Sequence, residues 1–148
     1  MNKKILTLLI VLIAAVSIAS VCAGENLVSH DFGKFKMDIP QSQDNITESQ
    51  GSVNQKLYSI PNTDLSKFAD VAYYDASNAN GTKNTTDFVL NVGYKNLTKE
   101  TNGNITKMKN EDGTQTIYSV SSKDNSQVVV VIGSDNRLQD AVNSIEFN

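Results

Sequence analysis

Between Ser126 and Phe147 the spacing of apolar residues changes period. Val128 to Ile132 is an unbroken apolar run, the pattern of a strand covered on both faces. Gly133 interrupts it, and Leu138, Ala141, Val142 and Ile145 then recur at i, i+3, i+4 and i+7. That spacing predicts an amphipathic helix from Asp135 to about Ser144, with Ser134 or Asp135 as its cap. A helix with one apolar stripe needs a sheet to lie on.

Upstream, Phe35-Lys36-Met37-Asp38-Ile39 alternates strictly and stops at Pro40, which predicts a half-buried strand. Glu25 to His30 before it reads as a linker or an edge piece, and Gln41 to Ser52 after it as a loop. Leu57 to Ile60, closed by Pro61, and Phe68 to Tyr74 predict two more strands, joined by a turn over Asn62 to Lys67. Asp75 to Thr86 is the most polar stretch and reads as a surface loop. Phe88, Val89 and Val92 behind Thr86 or Asp87 fit a short helix, while Asn91 and Gly93, poor helix formers, leave a strand open.

Asn104 to Lys109, Thr114 to Ser121 and Val128 to Ile132 are separated by Asp-Gly and Asp-Asn turns, which tolerate positive φ. These runs predict an antiparallel meander. The fold class expected is α+β: one antiparallel sheet of five to seven strands with one or two helices packed on it, the last helix following a buried strand.

The first two dozen residues stand outside this pattern. Lys3 and Lys4, the apolar run from Ile5 to Val16 and the small-residue end Val21-Cys22-Ala23 make a secretory signal peptide over residues 1–23, with cleavage between Ala23 and Gly24. Residues 24–148 then form a single exported domain. An uncleaved segment would instead be a membrane anchor, since Ile5 to Ala23 is nearly long enough to span. Cys22, the only cysteine, is a poor lipidation acceptor because Ala19 and Val21 do not fit the residues expected before it. The mature chain would have no disulfide and would depend on its core.

Without Lys3 and Lys4, eleven basic residues face sixteen acidic ones, a net charge of minus five. No basic patch forms, which argues against nucleic acid and against anionic lipid as partners. A membrane is expected only through a retained N-terminal segment, and the partner expected is an unidentified envelope or extracellular one.

Gly33-Lys34-Phe35-Lys36-Met37-Asp38-Ile39-Pro40 near the mature start, and Val131-Ile132-Gly133-Ser134-Asp135 followed by Leu138 and Asn143-Ser144-Ile145-Glu146-Phe147, resemble the PsbP-like and DcrB-like class of small exported domains. The whole also looks similar to short secreted proteins of methanogenic archaea. The resemblance implies a sheet packed on helices and an accessory, envelope-associated role without catalysis; it carries over no functional residue.

Candidate chemistry is sparse. His30-Asp31 is the only histidine–carboxylate pair, and an exposed histidine is its plainer reading. One histidine and no mature cysteine leave no ordinary zinc site, and no cofactor is expected. Asn78, Asn80, Gly81 and Asp87 sit at calcium-loop spacing, but Ala76 stands where the first carboxylate is needed and Asp75 is one residue off. Two of Asp38, Asp70, Asp75, Asp87 and Asp112 would have to meet in a pocket for a carboxylate-based hydrolase. A small-ligand carrier would need a cavity between helix and sheet. Five glycosylation sequons begin at Asn45, Asn80, Asn84, Asn96 and Asn104. Tyr73 and Tyr74 are candidates for a binding surface, one on each side of their strand.

Overall fold

The computed structural model describes residues 26–41, 45–51, 54–77 and 97–148. Among these residues ten strands form two antiparallel sheets: β1 (Leu27–Asp31), β2 (Phe35–Pro40), β3 (Thr47–Gln50), β4 (Gln55–Pro61), β5 (Lys67–Asp75), β6 (Thr98–Asn102), β7 (Ile105–Lys109), β8 (Thr116–Ser121), β9 (Gln127–Gly133) and β10 (Glu146–Phe147). The larger sheet has the order β3-β4-β5-β9-β8-β7-β6, and the smaller one β1-β2-β10. One helix of six residues, α1 (Leu138–Asn143), is present among the described residues.

This corrects the α+β expectation. The larger sheet is covered on one face mainly by a second sheet, with a helix of under two turns beside it. Phe35, Met37 and Ile39 of β2 meet Tyr58, Ile60, Val71, Val129 and Val131 of the larger sheet in one core cluster. The alternation around Met37 already specified an apolar face; what it lacked was the identity of the surface opposite. Glu25 to His30, read as a linker or edge piece, contributes most of β1, which pairs with β2 from Leu27↔Pro40 to Asp31↔Lys36.

The helix is shorter than predicted at both ends. Arg137 occupies the N-cap without a side-chain cap bond. Asp135 accepts the Arg137 backbone N–H (2.9 Å) and is engaged by its guanidinium, so the turn tightens before the helix begins. After Ser144 the chain extends and Phe147 pairs with Phe35. The predicted stripe does face the protein: Leu138, Ala141 and Val142 are buried and Ile145 is packed against the same cluster. Each large apolar side chain so buried contributes about 1.5–3 kcal/mol.

The run Val128 to Val131 is buried on both sides of the sheet. Val129 and Val131 belong to the first cluster, while Val128 and Val130 join Ala72, Met108 and Ile117 in a second. Two strands lie in segments without a strand pattern. The side chains of β3 and β6 are exposed throughout, so no face is apolar and no alternation marks them. The helix or strand expected around Phe88 lies outside the described residues.

Candidate functional site

Three hairpin turns of the larger sheet repeat one five-residue pattern: Asn62-Thr-Asp64-Leu65-Ser66, Asn110-Glu-Asp112-Gly113-Thr114 and Ser122-Lys-Asp124-Asn125-Ser126. In each, the fourth residue's N–H donates to the first residue's carbonyl, and the fourth residue has positive φ: 66° at Leu65, 68° at Gly113 and 58° at Asn125. The third-position carboxylate accepts both the N–H and the hydroxyl of the fifth residue. This is why aspartate and then serine or threonine stand there. The pattern is legible in the sequence as [Asn/Ser]-x-Asp-x-[Ser/Thr]. Asp75 and Ser77 repeat the last part, after β5.

These bonds fix the carboxylates as anions. Hydrogen bonds from Ser66 hold Asp64 below the usual carboxylate range, those from Ser77 do the same for Asp75, and those from Thr114 for Asp112. The Ser122 hydroxyl, followed by the Ser126 N–H and hydroxyl, brings Asp124 down to about 2. A general acid needs the opposite shift.

The other carboxylates proposed for hydrolysis are apart. Asp75 ends β5 at the end of the sheet where the β8–β9 turn lies, whereas Asp112 is in a turn at the opposite end. Asp70, mid-strand, accepts from Ser59 (3.1 Å) and pairs with Lys67 (2.8 Å). Asp38 is on the smaller sheet, its N–H bonded to Ser144 Oγ (2.7 Å). Asp87 lies outside the described residues.

His30 is in β1, its ring edge-on to Phe32 at 4.6 Å, at the start of an aromatic series through Phe35 to Tyr58 and Tyr73. Asp31, next along the strand, accepts instead from the Gly33 N–H (2.7 Å) and the Asn148 amide (3.2 Å). The pair is thus divided between two structural roles. Tyr73 is 6% exposed in the first cluster, its hydroxyl donating to Gln127 (3.1 Å). Tyr74 lies on the other face, half-buried against the second cluster, where burial pushes its hydroxyl up to about 12. They do not combine into one exposed surface.

A cluster that the sequence reading missed centres on Arg137. Its guanidinium makes two bonds to Asp135 (2.9 and 2.8 Å) and one to Asn62 (2.6 Å), and lies 5.3 Å from the Phe68 ring centroid. Arg137 and Asp135 side chains are 20% and 14% exposed. The cluster ties the β4–β5 turn to the start of α1. Its components are sixty or more residues apart for Arg137 and Phe68, so only folding reveals it.

The calcium-loop residues Asn78, Asn80 and Gly81 lie outside the described residues, as do Ala23, Gly24, Cys22 and the sequon asparagines 80, 84 and 96. Asn45 and Asn104 are described and exposed. Among the described residues no group of three His, Cys, Asp or Glu side chains is placed to hold one metal ion. No helix there is long and apolar enough to cross a membrane. Comparison with family models, curated proteins and solved structures finds no match for the chain.

Proposed function

We propose that residues 24–148 are a non-catalytic domain, exported by the N-terminal segment, that works at the cell surface or outside the cell by binding or packing against an envelope or extracellular partner. The observation that carries the reading is the use to which the carboxylates are put. Asp64, Asp112 and Asp124 each close a hairpin with hydrogen bonds to the residue two positions on. Of the acids that hydrolysis would need as a pair, Asp112 and Asp75 are engaged in such local bonds, and Asp70 and Asp38 lie on strands of different sheets.

The helix–sheet junction gives a carrier no support. An added β-carbon at Gly133 would lie 2.8 Å from the Phe68 carbonyl and 2.9 Å from Leu138 Cδ1, so α1 starts in direct contact with the sheet. The test is fractionation of native cells followed by chemical cross-linking in place. The expected result is recovery from the medium or envelope, with a discrete cross-linked adduct larger than the chain. Recovery as a free cytosolic monomer overturns the reading.

A further inference from the structure

We infer that Leu65 is a binding anchor: set at the apex of the β4–β5 turn, it enters an apolar pocket on a protein partner. The inference rests on the binding role proposed above and names the place on the chain where contact is made. Among the described residues Leu65 is the large apolar side chain that stands exposed, at 70%.

The three repeated turns give Leu65 two counterparts in the same chain. Its N–H donates to the Asn62 carbonyl at 3.0 Å, as that of Gly113 does to Asn110 and that of Asn125 to Ser122, both also at 3.0 Å. All three fourth residues lie in the left-handed region, at 66°, 68° and 58°. Glycine and asparagine suit that region, whereas the β-carbon of a leucine crowds the following carbonyl. The fold therefore gains from this leucine neither at the backbone nor in the core. A bulky residue standing in a strained, solvent-facing place points to a contact outside the chain.

The surroundings suit an anchor. Asn62 accepts from the Arg137 guanidinium (2.6 Å), the Asn62 N–H donates to the Ser66 carbonyl (2.7 Å), and the Ser66 N–H donates to the Asp64 carboxylate (2.9 Å). Both flanks of Leu65 are thus fixed before a partner arrives, which lowers the ordering cost of binding.

Thr63, Asp64, Ser66 and Lys67 are exposed around it. They make a polar rim about an apolar centre, the arrangement of a side chain that fills a pocket. Hydrogen bonds from Ser66 hold Asp64 below the usual carboxylate range, so it meets the partner as an anion. Lys67 is paired with Asp70 (2.8 Å). The complementary surface is an apolar pocket that admits leucine, with N–H donors or a cation at its rim opposite Asp64. A lipid surface fits less well: one leucine adds little apolar area, and an anionic headgroup would face Asp64.

The test adds increasing amounts of the purified chain to envelope and concentrated medium from native cells that lack it, followed by an amine-reactive cross-linker. Parent, Leu65→Asn, Leu65→Gly and Leu65→Met keep the same lysines. The parent is expected to give a saturable adduct with a foreign protein. Leu65→Asn and Leu65→Gly are expected to raise the half-saturating concentration about 10- to 100-fold, the loss of one buried leucine. Leu65→Met, similar in volume and held to the same backbone, should stay close to the parent. Urea midpoints of the asparagine and glycine variants at or above that of the parent would show that binding is lost without loss of the fold; lower midpoints in both overturn the strain on which the inference stands. A parent adduct equally strong in all variants overturns the inference and leaves the binding role standing, while a parent that gives no saturable adduct overturns both. An adduct of two copies of the chain, or Leu65-dependent sedimentation with vesicles of extracted envelope lipid, overturns the foreign protein pocket in favour of self-association or a lipid surface.

Discussion

Leu65 and Asn125 hold the same place in two different hairpins, each the fourth residue of its turn and each at positive φ, 66° and 58°. Asparagine tolerates that region; leucine does so at a cost of about 1–2 kcal/mol. Leu65 is also 70% exposed, so little burial offsets the strain. Leu65→Gly is expected to raise stability by about 0.5–1 kcal/mol, the greater freedom of an unfolded glycine offsetting part of the gain. Urea denaturation checks this, and a midpoint at or below that of the parent contradicts it.

Gly133 is required for a different reason. The Phe68 carbonyl, 2.8 Å from the place of a β-carbon, is backbone and cannot rotate away, although Leu138 Cδ1 at 2.9 Å can. Gly133→Ala is expected to cost about 1–3 kcal/mol. The effect is read as a lower urea midpoint with an unchanged slope.

Arg137→Lys is not conservative here. Lysine cannot reproduce together the two bonds to Asp135, the bond to Asn62 and the cation's place over the Phe68 ring. A loss of about 1–2 kcal/mol is expected, since the pair is only partly screened by solvent. Equal stability of the lysine variant would show that the cluster contributes through charge alone.

Acid acts on the turns. Asp124 is held near 2 in the fold against an ordinary 3.8, chiefly by the Ser122 hydroxyl. A depressed folded pKa contributes stability that is complete above the unfolded value and is lost as pH falls toward the folded one. The urea midpoint should therefore decline between about pH 5 and pH 2. Asp124→Asn should flatten part of that decline, and an unchanged profile would remove the turn as a cause.

Base acts on the core. Burial raises Tyr74 to about 12, and raises Tyr58 and Tyr73 as well. A raised tyrosine pKa contributes stability that is complete below the unfolded value, near 10, and is lost as pH rises through the folded one. Ultraviolet titration should show delayed, cooperative tyrosine ionisation between about pH 10 and 12, coincident with loss of structure. Ionisation of all tyrosines near 10 while the fold persists would contradict the burial of Tyr74.

What the sequence determined by itself was local. The apolar run at Val128, the alternation around Met37 and the stripe from Leu138 to Ile145 each specify which side of an element is buried, because side-chain direction has a fixed period in strand and helix. The repeated Asp-x-[Ser/Thr] turns are local too, since donor and acceptor are two residues apart. Tertiary structure decided what covers what. A half-buried strand at Phe35 to Pro40 suits a sheet lying under a helix as well as a strand of a second sheet; only the pairing with β1 and β10 and the packing against Tyr58 and Tyr73 select the second. The outermost strands among the described residues, β3 and β6, have backbone pairing but no apolar face, so their existence depends on the adjoining strands β4 and β7 and on no pattern of their own. Arg137 joined to Asn62 is a relation between distant residues, which a periodic pattern does not encode.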